Sequence, residues 1–172
     1  YNEIIFRSTA VSSSTGNFNF PETIKRKGSE LEITWYPFDA LETRFNTGYV
    51  DAKTPDGSRI PLTAKTNGSI ALRWQYWSFF SLNWSSQYVG SRSDGNNFGD
   101  SSASGTSAST PPDISSYWLS NARAELSLNN GMLNAFVGIN NVFDEHYIYA
   151  SYSGQAFPGN GETIYGGFYV KI

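Results

Sequence analysis

Apolar and polar side chains alternate along eight segments of this sequence. Between residues 68 and 77, for example, Ile70, Leu72 and Trp74 are interleaved with Arg73 and Gln75. Successive side chains of a β-strand point to opposite sides of the sheet, so this period of two predicts strands with one apolar and one polar face. The eight segments are 2–8, 29–36, 41–50, 68–77, 79–90, 118–128, 131–140 and 164–172. The chain is therefore predicted to be all-β and antiparallel, with about eight strands.

The connections between these segments alternate in length. Three are short, at 37–40, 77–78 and 129–131, and the last of them, Asn-Asn-Gly, suits the positive φ angles of a tight hairpin. Four are long: 9–28, 51–67, 91–117 and 143–163. Outer-membrane barrels have short periplasmic turns and long extracellular loops. The pattern thus predicts a transmembrane β-barrel with extracellular long loops and a periplasmic C-terminus, and a mobile loop at 91–117.

Composition favours the same architecture. Aromatic residues make up 16% of the chain and charged residues also 16%, against about 25% charged residues in soluble domains. Trp35, Trp74 and Trp84 are placed near predicted strand ends, as in the aromatic girdles of membrane barrels. A soluble β-sandwich is the alternative, because its strands also have one apolar and one polar face.

Several function classes have little support in the sequence. The chain has no cysteine, a net charge of −3 and no basic run, which excludes thiolate metal sites and argues against a nucleic-acid partner. The single histidine, His146, stands beside Asp144 and Glu145. Adjacent side chains of an extended segment point apart, so we expect His146 to pack within its loop rather than bind a metal. No catalytic residue, cofactor or metal site is predicted, and the protein is not expected to be an enzyme.

Eight charged residues fall on the predicted polar face. An arginine or lysine facing lipid at mid-bilayer costs roughly 2–4 kcal/mol, so they are expected to point into the barrel. There they could brace the wall as ion pairs or line a polar path for a substrate. The eight are Glu30, Glu32, Glu42, Arg44, Arg73, Arg123, Glu125 and Lys171.

Aromatic residues are concentrated in the last long loop. Tyr147, Tyr149, Tyr152 and Phe157 would lie at the outer mouth of a barrel, where they could contact a planar ligand. The alternative is aromatic packing among loops at the membrane interface. These four are the candidate substrate-contact residues.

Four sequence pieces resemble motifs of TonB-dependent outer-membrane receptors. The most specific is NNVFDEHY at 140–147, which is similar to the N-(L/V)-F-D-x-x-Y motif near the C-terminus of that family. The pieces KGSELE at 27–32, NTGYVDA at 46–52 and QYVGSR at 87–92 resemble three of its strand motifs and occur in the same order. The resemblance implies that residues 1–172 are the C-terminal part of a barrel of 22 strands, here its last eight strands, without the plug domain.

The resemblance also implies a function and partners. Such receptors import ferric siderophores or similar metal complexes, with energy from the TonB–ExbB–ExbD complex acting through the plug. The expected partners are therefore outer-membrane lipid, the rest of the barrel, the plug, TonB–ExbB–ExbD and a metal-chelate ligand. The alternative is a self-contained eight-stranded barrel of the OmpA/OmpX type with a structural or binding role, because eight strands suffice to close a barrel.

Overall fold

The computed structural model describes residues 2–5, 8–10, 17–19, 24–53, 59–60, 62–93, 114–152 and 155–171, with side chains from residue 25 onward except that of Tyr152. Twelve strands account for most of them: β1 (Asn2–Ile5), β2 (Ser8–Ala10), β3 (Asn17–Asn19), β4 (Ile24–Phe38), β5 (Leu41–Lys53), β6 (Thr66–Trp77), β7 (Phe80–Val89), β8 (Tyr117–Leu128), β9 (Leu133–Asn140), β10 (Ile148–Tyr152), β11 (Gln155–Pro158) and β12 (Thr163–Val170). Within these ranges there is no helix long and apolar enough to cross a membrane.

Eight strands form one antiparallel sheet in the order β1-β4-β5-β6-β7-β8-β9-β12. They correspond to the eight segments predicted from alternation, so that prediction is confirmed. The hairpins β2–β3 and β10–β11 form two further small sheets within predicted loops. These short strands were not predicted from alternation. In the described part of the chain β1 and β12 lie at opposite edges of the large sheet, which is therefore open.

One face of this sheet is apolar over its whole width. The register places Leu72 between Thr43 and Trp84, and carries the same face from β4 to β12. Its side chains are well exposed, with Phe168 at 76%, Ile164 at 66% and Val137 at 52%. Among the described residues only three hydrophobic side chains are buried, Val50, Ala52 and Ile114. A sheet with an exposed apolar face and so small a core requires an apolar solvent, which a bilayer supplies.

The opposite face carries the charged residues that the alternation predicted there. Glu42 faces Arg73, and Arg73 faces Asn83, which in turn faces Arg123. We call this the charged face and the other the apolar face. Seven of the eight predicted residues lie in strands on the charged face, and the eighth, Lys171, directly follows β12.

The two rims of the sheet differ. At the turn rim, β4–β5, β6–β7 and β8–β9 are joined by tight turns, and Asn129, Asn130 and Gly131 adopt the expected positive φ angles of 51°, 52° and 85°. Aromatic rings cluster there: Trp74, Tyr76, Trp77, Phe79 and Phe80.

The predicted girdle position is wrong for one tryptophan. Trp84 lies at the middle of β7, where it faces Leu72 and Ala122. Alternation shows which face a residue occupies but not its depth.

At the other rim, here called the loop rim, the long connections leave the sheet. The predicted mobile loop at 91–117 falls mostly outside the described residues.

Candidate functional site

Ion pairs and hydrogen bonds cross the charged face. Glu42 and Arg44 pair along β5, and Arg123 Nε lies 2.7 Å from Glu125 Oε1 along β8. The guanidinium of Arg123 also lies 4.3 Å from the centre of the Phe136 ring. All of these groups lie on the charged face, so their opposite charges neutralise one another there.

A depression of about 380 Å³ opens on this face between β5 and β8. Its polar lining includes Arg44, Arg73, Asn83, Arg123 and Tyr165. Guanidinium, amide and phenol groups there can bind anionic or carbonyl-bearing surfaces, whether of a solute or of another protein segment. This geometry fits both interpretations of the charged face, a braced wall and a polar path.

The segment 140–147 forms a compact turn centred on Asn141. This residue is only 5% exposed and has a φ of 51°. Its Nδ2 donates to the carbonyl oxygens of Glu145 (3.0 Å) and Asn160 (3.1 Å), while its Oδ1 accepts from the backbone N–H of Glu145 at 2.9 Å. Asparagine tolerates positive φ better than most residues and supplies both donors and acceptor. Asn141 therefore fastens the end of β9 to the segment that enters β12.

Asn141→Ala is expected to destabilise the protein by about 2–3 kcal/mol, because three side-chain hydrogen bonds of roughly 1 kcal/mol each are lost and alanine disfavours positive φ. Asn141→Gly keeps the backbone angle and should recover part of that loss. The neighbouring Asn140→Ala serves as control, since its side chain is exposed. Amide exchange at Glu145 checks the result: if it exchanges equally fast in the Asn141 and Asn140 variants, Asn141 does not hold the turn.

Asp144 makes a second link between the same segments. Its Oδ1 accepts from the backbone N–H of Glu162 at 2.9 Å, and a Cβ at Gly161 would lie only 2.9 Å from that oxygen. His146 is exposed. Among the described residues, no group of three or more His, Cys, Asp and Glu side chains could hold a metal ion.

The predicted substrate-contact residues differ in their surroundings. Tyr147 is half-buried, and its ring centre lies 4.4 Å from that of Tyr117. A Cβ on Gly159 would overlap the Tyr147 ring, at 1.9 Å from its Cζ. Tyr147 thus packs the base of the β10–β11 hairpin, and glycine at 159 is needed for its ring to fit.

The other three residues lie on the hairpin itself. Tyr149 is 59% exposed and Phe157 44% exposed, so both rings are accessible at the loop rim. The backbone of Tyr152 pairs with Gln155, and its side chain lies outside the described residues. Of the three predicted residues whose side chains the structure describes, Tyr149 and Phe157 are therefore the exposed ones.

An arginine that was not among the predicted site residues anchors this hairpin. Arg92 is 4% exposed, and its Nη2 donates to the carbonyl oxygens of Ile148 (3.1 Å) and Tyr149 (2.6 Å). Its guanidinium also lies 5.3 Å from the Tyr117 ring centre. The sequence signal was the final residue of QYVGSR at 87–92, but nothing in the sequence pairs it with a loop some 56 residues later.

Comparison with known proteins identifies the family of this two-faced sheet. The model of the TonB-dependent receptor-like β-barrel matches residues 1–142. The chain belongs to this family. Its membership implies a location in the bacterial outer membrane, and the open sheet is part of a barrel wall. The match ends at residue 142, within the Asn141 turn.

Solved structures of TonB-dependent receptors resemble this chain in fold. The closed form of the ferric-catecholate import receptor Fiu from Escherichia coli K12 has a TM-score of 0.70 at 20% identity over 95% of this chain. FpvA of Pseudomonas aeruginosa, bound to heterologous pyoverdines with iron, has a TM-score of 0.69 at 14% identity over 97% of this chain. The ferric yersiniabactin uptake receptor FyuA of Yersinia pestis has a TM-score of 0.66 at 18% identity over 85% of this chain.

The chain spans 23% of the length of each of these three structures. No curated protein sequence matches it.

Proposed function

We propose that this chain is part of the barrel of a receptor that imports a ferric siderophore or a similar metal complex across the outer membrane, and that it is a transporter component rather than an enzyme. The observation that carries the proposal is the charged face, which gives a TonB-dependent receptor barrel a polar interior behind an apolar, lipid-facing exterior. The related structures include a ferric-catecholate import receptor, a ferric yersiniabactin uptake receptor and FpvA bound to pyoverdines with iron, which supports the proposal.

The chain's place in the receptor is part of the proposal. We propose that residues 1–172 form the C-terminal portion of the barrel, its last eight strands, with the loop rim extracellular and the C-terminus periplasmic. The open edges β1 and β12 would then pair with strands of the remaining barrel, and a plug domain would provide contact with the TonB–ExbB–ExbD complex. The difference in length between the turns of one rim and the connections of the other supports this orientation.

Within this receptor the exposed aromatic pair, Tyr149 and Phe157, would contact the incoming ligand. Both stand on the β10–β11 hairpin, which Arg92 ties to β7 through the carbonyl groups of residues 148 and 149. Aromatic rings on an anchored hairpin offer contact area with little loss of side-chain entropy. Catecholate and other planar chelating groups are suited to such contacts.

The double variant Tyr149→Ala/Phe157→Ala in the full-length receptor is expected to bind its ferric siderophore about fivefold to 150-fold more weakly, since each of the two aromatic contacts contributes about 0.5–1.5 kcal/mol. Quenching of intrinsic fluorescence by a panel of ferric catecholate, hydroxamate and mixed siderophores measures this. Phe143→Ala is the matched control, because Phe143 is 72% exposed but lies outside the hairpin. Equal affinity of the wild type, the double variant and Phe143→Ala for the bound chelate would show that the hairpin aromatics do not contact it. If the wild type bound none of the ferric siderophores, the proposed function would be contradicted.

A further inference from the structure

A row of side chains in register crosses the charged face at the level of the depression. It takes one residue from each of the strands β5 to β9 and from β12: Glu42, Arg73, Asn83, Arg123, Gly138 and Tyr165. We call these residues the wall row. All of them except Gly138 line the depression, whose volume of about 380 Å³ lies at the lower end of the range for small-molecule sites. The depression can therefore receive one arm of a chelate.

Arg73 brings a positive charge to the wall row that its described neighbours do not neutralise. Its Nη2 donates to Oε1 of Gln75, an uncharged amide, at 3.3 Å. Glu42 stands directly opposite Arg73, but its carboxylate pairs with Arg44. Within the described ranges no carboxylate forms an ion pair with Arg73. The depression thus keeps an excess of positive charge, which an anion would neutralise.

Arg123 supplies a second guanidinium on the same row. Its Nε lies 2.7 Å from Glu125 Oε1, but the Nε–H is not aligned as a hydrogen bond and has no acceptor in the described part of the chain. The guanidinium rests on the Phe136 ring, which limits its movement. One strand separates β6 from β8, so the Cα atoms of Arg73 and Arg123 are about 10 Å apart. Across this gap two arginine side chains can bind one oxyanion, with the Asn83 amide between them.

A glycine shapes the far end of the row. A Cβ at Gly138 would lie only 2.3 Å from Tyr165 Cζ, so the phenol ring can lie across β9 only because residue 138 has no side chain. The same ring lies 6.3 Å, between centres, from Phe136, on which Arg123 rests. Apart from the paired Glu42, the polar groups of the wall row can all donate hydrogen bonds. Such a set suits an anion with several oxygen acceptors, such as a carboxylate or a catecholate.

The wall row is distant from the hairpin aromatics. Arg73 is six residues from Asn67, which pairs with Val89 at the loop rim, and this is about 20 Å along the strand. Tyr149 and Phe157 stand on the β10–β11 hairpin beyond that rim. The two places are too far apart for one arm of a chelate to contact both. A chelate that enters past the hairpin would therefore reach the wall row in a later step.

We propose that the wall row is a second binding site for the imported chelate, at which Arg73 and Arg123 bind an anionic oxygen group as the chelate passes. The inference rests on the proposed function and names its substrate class, iron chelates with a net negative charge. The chelate is the expected source of the anion, because the depression opens on the face along which a solute would pass. An acidic side chain of the plug would carry the same chemistry, and the experiment distinguishes the two sources.

The experiment measures uptake of radioactive iron by cells whose only siderophore receptor is the full-length protein. The probes are ferric enterobactin, an anionic tris-catecholate, ferric aerobactin, an anionic carboxylate-bearing hydroxamate, and ferrioxamine B, a cationic hydroxamate. The wild type is expected to import at least one of the two anionic chelates. Arg73→Gln should slow that uptake about tenfold, the effect of losing one charge-assisted hydrogen bond. Affinity for the chelate at the cell surface, measured on ice, should not change.

Two further variants test the role of charge, with every rate divided by the amount of receptor in the outer membrane. Arg73→Lys keeps the positive charge and should restore most of the uptake rate, which shows that substitution at this position permits folding. Lys27→Gln is the control. It removes a positive charge from the apolar face, where Lys27 lies in the same row as Leu31 and Ile33, and should leave uptake unchanged.

Three results would overturn the inference. The first is an equal rate of uptake of the anionic chelate by Arg73→Gln and the wild type. The second is a wild type that imports ferrioxamine B alone. The third is an Arg73→Gln receptor that imports ferrioxamine B and the anionic chelate equally slowly, or that admits vancomycin, because Arg73 would then hold an acidic side chain of the plug. Wild-type cells that import none of the three chelates would contradict the proposed function instead.

Discussion

Leu72→Arg is expected to lower the free energy of unfolding by about 2–4 kcal/mol, the cost of an arginine that faces lipid near the middle of a barrel wall. Leu72 lies within β6 on the apolar face, between Thr43 and Trp84. The matched substitution is Ser85→Arg. Ser85 follows Trp84 on β7 at the same height but lies on the charged face, between Ala71 and Asn121. An arginine there reaches the polar depression and should cost less than about 1 kcal/mol.

The comparison is made on the full-length protein by guanidinium unfolding in phosphocholine vesicles. The two variants add the same side chain to adjacent strands, so their difference isolates the environment of each face. Equal destabilisation by both would contradict the assignment of one face to lipid. Greater destabilisation by Ser85→Arg would reverse the assignment and, with it, the interpretation of the charged face as the barrel interior.

The main sheet was predictable because every residue of a strand must suit the environment of the face on which the register places it. A charge on the apolar face within the bilayer would be costly, so apolar and polar side chains alternate along most of each strand. The strands β4 to β9 and β12 of the main sheet can therefore be read from that alternation. The turn 129–131 was predictable for a local reason, since its positive φ angles restrict the residue types. The start of β4 was harder to predict. The strand begins at Ile24, but Lys25 and Lys27 lie on its apolar face and break the alternation of apolar and polar residues.

The candidate site was only partly predictable. The sequence indicated an aromatic loop but not that Tyr147 would be half-buried on Tyr117, a contact between residues thirty positions apart. The role of Asn141 was hidden for a similar reason, as its amide joins β9 to Asn160. Such contacts depend on which loops meet at the rim, and that is determined by the whole sheet order.

Arg92 carries the second large expected effect. Arg92→Ala should lower the free energy of unfolding by about 3–6 kcal/mol, because two carbonyl groups of the hairpin each lose a charge-assisted hydrogen bond of about 1.5–3 kcal/mol. The site is 4% exposed, so water cannot fully replace the guanidinium. The stability of Arg92→Lys should fall between those of the wild type and Arg92→Ala, since an ammonium cannot stack on Tyr117 as a planar guanidinium does.

The matched control is Arg44→Ala. The Arg44 side chain is 64% exposed and pairs with Glu42 two residues away on the same strand, so its loss should cost less than about 1 kcal/mol. Hydrogen–deuterium exchange across β10 and β11 measures the local effect, and chelate binding the functional one. Because the Arg92 bonds end on the carbonyl groups of Ile148 and Tyr149, their loss should speed exchange throughout the hairpin and weaken binding wherever Tyr149 contributes to it. Fast exchange with unchanged affinity for the chelate would mean that Arg92 anchors the hairpin but that the hairpin does not contribute to chelate binding. Unchanged exchange would mean that Arg92 does not anchor the hairpin.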